Sequence, residues 1–196
     1  MKVVGIDLAG VESRPTGFCI LDGLYASCSV MHTNGEIVAA VRAVKPKPGV
    51  VAVDAPLGLP KGRKSIEQRN AVHLRACDRE LLRMGIKFFP ITLGPMRKLT
   101  ARGMRLRRKL EAEGFEVVET YPGAAQDILE IPRKQYGLDK LLEGLRKFGM
   151  RGLSVRMGGD ELDAATCALV GKMYADGNYS AIGDPEEILM ILPKIE

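Results

Sequence analysis

Two short apolar runs, each closed by an aspartate, constrain this chain more than anything else in it: Val3-Val4-Gly5-Ile6-Asp7 and Val50-Val51-Ala52-Val53-Asp54. Runs with no polar alternation mark strands buried on both faces, as in the middle of a largely parallel sheet. A carboxylate in such a strand needs a partner charge, a metal, or an exit to a cleft, because burying it alone is costly. The plain alternative is that Asp7 closes its strand and accepts hydrogen bonds from its own turn. That alternative weakens when the pattern occurs twice.

The connections decide how the two runs pair. Residues 16–21 and 25–31 are β-prone and flank Asp22-Gly23, a hairpin signal. The link at 11–15 is too short for a parallel crossover, so the first three strands form an antiparallel meander. Asn34 reads as the cap of a helix over 35–44, which Pro46 and Pro48 stop. The run at 50–54 is therefore reached through a helix and lies parallel to the first strand. Both aspartates then stand at one carboxyl edge, where open α/β sheets bind ligands.

Further along, the spacing predicts helices over 65–84 and 95–113, a strand over 115–121 carrying Glu119, and short helical pieces over 124–148. A last helix over 159–175 and two short C-terminal strands follow. Asp160 and Asp163 sit three apart at the start of that helix, on one side of its first turn, and small Ala residues come next. Acids at a helix N-terminus are also ordinary dipole partners, so capping stays open for this pair.

With 196 residues, 46% of them hydrophobic and 27% charged, the chain suits one domain with one sizeable core. No apolar run reaches the roughly 18 residues of a membrane span, and Asp7 interrupts the only apolar run near the N-terminus. A cytoplasmic protein without a membrane partner is expected. The scattered Cys19, Cys28, Cys77 and Cys167 read as reduced core thiols, and two histidines leave little material for a zinc or triad mechanism. The charge is uneven. Of 29 Lys/Arg and 24 Asp/Glu, 15 bases and only three acids fall within 61–109, which carries +12 against −7 elsewhere. That basic helical insertion, 61–113, is a footprint for a polyanion, although two solvated helix faces would look the same.

Asp7, Asp54 and the Asp160/Asp163 pair, with Glu119 as a possible fifth, thus come from separate elements toward one edge. Hard oxygen ligands of this kind suit Mg2+ or Mn2+. The segments "GIDLAG", "VAVDAPLGLP", "RACDRELLRMGI", "ETYPGA" and "DELDAATCALV" resemble the family of unknown function 429, described as nucleases of RNase H-like fold, over nearly the whole chain. The D-x-x-D-A segment also resembles the last helix of the RuvC-type Holliday-junction resolvases. The resemblance implies a mixed five-stranded sheet with three antiparallel first strands, parallel fourth and fifth strands, helices on both faces and an added C-terminal hairpin.

It further implies a metal-dependent nuclease, with Asp7, Asp54 and Asp163 as metal ligands and Asp160 as a fourth. Glu119 and the Arg75/Asp78 pair match the family's own motifs; Arg75 either reaches a phosphate or pairs with Asp78. Where many relatives have a His ahead of the last Asp, this chain has Gly159-Asp160. Lys61, Arg63, Lys64, Arg97 and Lys98 are the candidate phosphate contacts, nucleic acid is the expected partner, and a homodimer is one possible assembly. Two other functions fit less of the chain. "GIDLAG" also resembles the phosphate loop of sugar kinases, and a non-catalytic polyanion-binding module would keep the same fold. A Walker loop at 58–65 fails, because Arg63 stands where a glycine is required and Pro60 interrupts the turn.

Overall fold

A computed structural model describes residues 1–194. Seven strands form one mixed sheet: β1 (Lys2–Asp7), β2 (Thr16–Asp22), β3 (Tyr25–Met31), β4 (Val50–Asp54), β5 (Val117–Thr120), β6 (Tyr179–Ile182) and β7 (Met190–Pro193). Their spatial order is β3-β2-β1-β4-β5-β7-β6. The β1-β2-β3 meander is antiparallel, while β1, β4, β5 and β7 run parallel. The C-terminal hairpin, expected as an appendage to five strands, extends the sheet instead. Its second strand pairs β7 with β5 through Glu119↔Met190 and Thr120↔Ile191. That pairing covers what would otherwise be an open edge on β5.

Six α-helices cover the two faces: α1 (Asn34–Ala43), α2 (Ala76–Arg83), α3 (Gly94–Ala112), α4 (Pro122–Ile128), α5 (Leu138–Lys147) and α6 (Gly159–Ala175). Strand alternation sorts the core. Val4, Ile6, Val51 and Val53 pack with Ile37 and Val41 of α1 and Leu106 and Leu110 of α3. On the other face Val3, Val50, Ala52 and Val118 meet Cys167 and Val170 of α6. None of the four cysteines is disulfide-bonded. Among the described residues no helix is long and apolar enough to cross a membrane.

Two helix expectations change. The cap of α1 is Thr33, not Asn34: its hydroxyl accepts from Glu36 N at 3.1 Å and the Glu36 carboxylate accepts from Thr33 N, closing a capping box. Residues 65–75 are not helical, so the first basic helix keeps only its last eight residues, as α2. The cause is Arg63. Its buried guanidinium takes the carbonyls of Gln68 (2.5 Å) and Val72 (2.8 Å) and the Asn70 side chain (2.8 Å), fixing a loop whose carbonyls a helix would have used.

The placement of α6 depends on missing side chains. A Cβ added to Gly5 would lie 2.1 Å from the Ala164 carbonyl oxygen, and one on Gly17 would lie 1.9 Å from the Asp160 carbonyl oxygen. Glycines in β1 and β2 therefore let the opening turn of α6, with its acids, rest on the strands. Gly17→Ala is expected to push that turn off the sheet and cost about 1–3 kcal/mol, as overpacking does. At this size that lowers Tm by about 2–4 °C per kcal/mol in a thermal melt. An unchanged Tm would show that the helix yields freely.

Candidate active site

The parallel register sets Asp7 directly beside Asp54. Both follow the alternation of Val3/Gly5 and Val50/Ala52, so both face α6. From that helix Asp163, buried, and Asp160, half-buried, project to the same place. The structure thus brings Asp7, Asp160 and Asp163 together around one ammonium, with Asp54 beside Asp7. Lys134 Nζ lies 2.7 Å from Asp163, 3.6 Å from Asp160 and 3.8 Å from Asp7. The second oxygen of Asp163 accepts from Gln126 Nε2 at 2.8 Å, and the same amide donates to Thr166 Oγ1 at 3.1 Å.

The electrostatics follow. Burial, then the Asp163 charge, lifts the Asp7 carboxyl to about 7; Asp160 adds to the rise and Lys134 opposes it. Asp54 is held well above the carboxylate range by burial, Asp7 and Asp163. Burial works against the Lys134 ammonium, but Asp163, Asp7 and Asp160 outweigh it and raise its pKa. Crowded acids of this kind require a cation, and here a lysine serves.

Glu119 does not join them. The register pairs Val53 with Glu119 and Asp54 with Thr120, so Glu119 points with Val53 to the α3 side. There Glu119 Oε2 accepts from Arg75 at 2.7 Å and from Leu57 N at 2.7 Å. Arg75, which also pairs with Asp78 at 3.1 Å, is 2% exposed, so its guanidinium is engaged by two carboxylates, as in the ion-pair alternative. Thr120 takes the place beside Asp54, and its buried hydroxyl has no hydrogen-bond partner within the described protein.

The candidate phosphate contacts divide. Arg63 is consumed by its loop, as described above. Lys61 pairs with Asp184 (2.6 Å) and Glu186 (2.8 Å), and Arg97 with Glu67 (2.5 Å). Arg102, one of the bases of the 61–113 region, is 2% exposed and donates to Asn34 Oδ1 (2.9 Å) and to the carbonyls of Ala9 (2.7 Å) and His32. Lys64 and Lys98 are exposed. Lys98, Arg97 and Arg105 flank a groove of about 630 Å³ against Gly10 and Glu12, in the loop that continues from β1.

A larger cavity, about 760 Å³, opens between the ends of β4 and β5 and includes Asp54, Asp163 and Lys134 in its wall. The chain leaves β4 toward α3, with Ala55 and Leu57 in that core, whereas β5 leads into α4 on the α6 side. Adjacent parallel strands whose connections diverge make a crevice, the usual ligand site of open α/β sheets.

Do these residues fit a metal? Their all-oxygen donor set suits a hard cation, a cation already stands among them as Lys134, and Thr120 Oγ1 lies unpartnered alongside. Yet among the described residues no group of three His, Cys, Asp or Glu is placed to hold a metal ion as it stands. The acids fit in charge and chemistry. Holding an ion requires them to close in as Lys134 moves aside.

A family model described as "Protein of unknown function (DUF429)" matches residues 5–188. The chain belongs to that family. No curated protein sequence matches it. Among solved structures it is similar to T. thermophilus RuvC in complex with Holliday junction substrate, at 18% identity and TM-score 0.54, covering 90% of this chain and 96% of that one. A second Thermus thermophilus RuvC structure has 16% identity over 90% and 96% of the two chains, with TM-score 0.49. The fold of this DUF429 member is the RuvC, RNase H-like one.

Sequence reasoning missed Lys134, Gln126 and Thr120. Lys134 lies in a three-residue 3-10 turn, Lys134–Tyr136, with no periodicity to mark it. Gln126 follows the "ETYPGA" segment by two residues within α4, and only the structure turns it toward Asp163.

Proposed function

We propose that this protein is a metal-dependent nuclease in which Asp7, Asp54 and Asp163, with Asp160, hold Mg2+ or Mn2+. The observation that carries the reading is the convergence of carboxylates from β1, β4 and α6 at the mouth of the crevice. A RuvC bound to a Holliday junction has the same fold, which supports nucleic acid as the substrate class. When bound, such a metal supplies a Lewis acid for the scissile phosphate and makes water nucleophilic near neutral pH. The chain's own residues do the rest. Gln126 fixes one oxygen of Asp163, so that the other, which Lys134 holds here, would face the ion. Lys134, released from the acids, lies within reach of a phosphate oxygen at the crevice mouth. Lys98 and Arg105 flank the groove on the other side of the β1 loop and would follow the backbone of the strand.

Branched, duplex and single-stranded DNA and RNA, incubated with Mn2+ or Mg2+, should show cleavage of at least one class. Lack of cleavage of every class would count against the enzyme. A thermal melt checks the ion separately. Mn2+ at about 100 times its Kd should stabilise by about 2.7 kcal/mol, a rise of several degrees. The unmet requirement for closure favours one second reading: with Lys134 neutralising the acids, the same fold would serve as a non-catalytic polyanion-binding module. That reading expects no metal-dependent rise in Tm.

A further inference from the structure

The crevice beside the acids is larger and more apolar than a phosphodiester needs. Its lining is polar at the acids, with Asp54, Asp163 and Lys134. Phe88, Phe89, Ile91, Met96 and Leu99 also line it, supplied by the connection between α2 and α3 and by the first turn and a half of α3. Tyr121 lines it as well. Its hydroxyl donates to the Lys87 carbonyl at 2.8 Å, and the Arg133 guanidinium covers its ring at 5.7 Å. Phe89 is 70% exposed, unusual for a ring at the rim of an apolar chamber. Lys87, also exposed, brings a positive charge to the same rim.

We propose that this chamber receives one unpaired nucleobase of the substrate strand, stacked against Phe89, while the adjoining phosphate lies at the acids. The inference rests on the nuclease reading and names its substrate class: single-stranded or locally unpaired nucleic acid rather than continuous duplex. Three observations carry it. At about 760 Å³ the chamber is the size of pockets that enclose a drug-sized ligand, and one nucleotide is such a ligand. Its wall is mainly apolar and carries Phe88, Phe89 and Tyr121 beside the cations Lys87, Arg133 and Lys134, whereas a channel reading only backbone needs the cations but not the rings. It adjoins the acids directly, so a base seated there leaves its own phosphate at the chemistry. A base stacked inside a duplex cannot reach such a chamber without leaving the helix.

The test measures binding in Ca2+ by fluorescence anisotropy, with a short labelled single strand, a fully abasic strand of equal length and charge, and the matched duplex. The base-bearing strand should bind about tenfold tighter than the abasic one, the scale of a stacking contact. It should also bind tighter than the duplex. Phe89→Ala should remove the base-dependent gain and leave abasic binding and Tm unchanged. Equal affinity for base-bearing and abasic strands would overturn the proposal, as would a Phe89→Ala effect that is the same on both. Cleavage in Mn2+ separates the two readings. Equal cleavage of duplex, single and abasic strands keeps the nuclease and removes the chamber's role. Base-dependent binding without any cleavage keeps the base site and removes the nuclease. A free mononucleotide that binds as tightly as the strand would also overturn it, because the site would then recognise a small molecule.

Discussion

Asp7→Asn is expected to abolish metal-dependent cleavage and, in the same protein, to raise stability at neutral pH when no divalent ion is present. The two effects share one cause. Asp7 is pushed from an ordinary 3.8 to about 7, by burial first and then by the Asp163 charge. A carboxyl whose folded pKa lies above its unfolded value binds protons more tightly in the folded state. Its contribution is complete below about pH 4 and is lost as the pH rises toward 7. Above pH 7 the ionised Asp7 is therefore a liability unless a cation neutralises it. Asparagine removes that liability at a cost in ligand charge. Cleavage should fall on the order of a thousandfold, about 4 kcal/mol of transition-state stabilisation. The metal-free variant should gain about 1–3 kcal/mol at pH 8, discounted from the full shift because Lys134 and neighbouring acids share it. Its stability should also vary less between pH 4 and 7 than the parent's, in urea titrations with EDTA. The pH effect of Lys134 lies above its ordinary 10.5 and does not overlap this window. A variant that cleaves normally, or that is less stable than the parent at pH 8, would remove Asp7 from the site.

How much of this was legible before the fold was known depended on whether a residue's surroundings were local. Asp7 and Asp54 could be read because each ends a doubly buried strand, and the short link at 11–15 forced the meander that makes those strands neighbours. Asp160 and Asp163 could be read because helical spacing alone puts them on one side. Glu119 could not, since its face depends on the parity of a register, Val53↔Glu119, that no property of residues 115–121 encodes. The same limit applies to charge. Counting 15 bases within 61–109 measures a field but not its availability. Arg63, Arg75 and Arg102 are all turned inward, each saturated by carbonyls or carboxylates from distant segments. The spacing suggested one long helix over 65–84, and the guanidinium of Arg63, two residues before it, holds its first half as a loop. Basic residues flag a binding surface only where they remain at the surface. Here three of the fifteen, Arg63, Arg75 and Arg102, are lost to the interior.

The buried arginine nearest the crevice gives the largest expected effect on stability. Arg75→Met should cost about 3–5 kcal/mol, because it strands two buried carboxylates, Asp78 and Glu119, which are 2% and 1% exposed. At this size the melting temperature should fall by about 10 °C or more. Part of the loss is local. Asp78 Oδ2 also accepts from Arg75 N at 2.9 Å and holds the first turn of α2, while Glu119 ties β5 to Leu57 in the loop after β4. Arg75→Lys should recover only part of the stability, since one ammonium cannot replace a fork that reaches Asp78 and Glu119 at once. Replacing the group together, as Arg75→Met/Asp78→Leu/Glu119→Met, should recover more than any single change, because no charge is left unpaired. Such a variant separates packing from polarity. If it folds near parental stability yet Phe89 no longer discriminates base-bearing from abasic strands, the ion triad orders the crevice wall rather than supplying net stability. If Arg75→Met itself stays within about 1 kcal/mol of the parent, water reaches the triad and its burial is not as tight as 1–2% exposure implies.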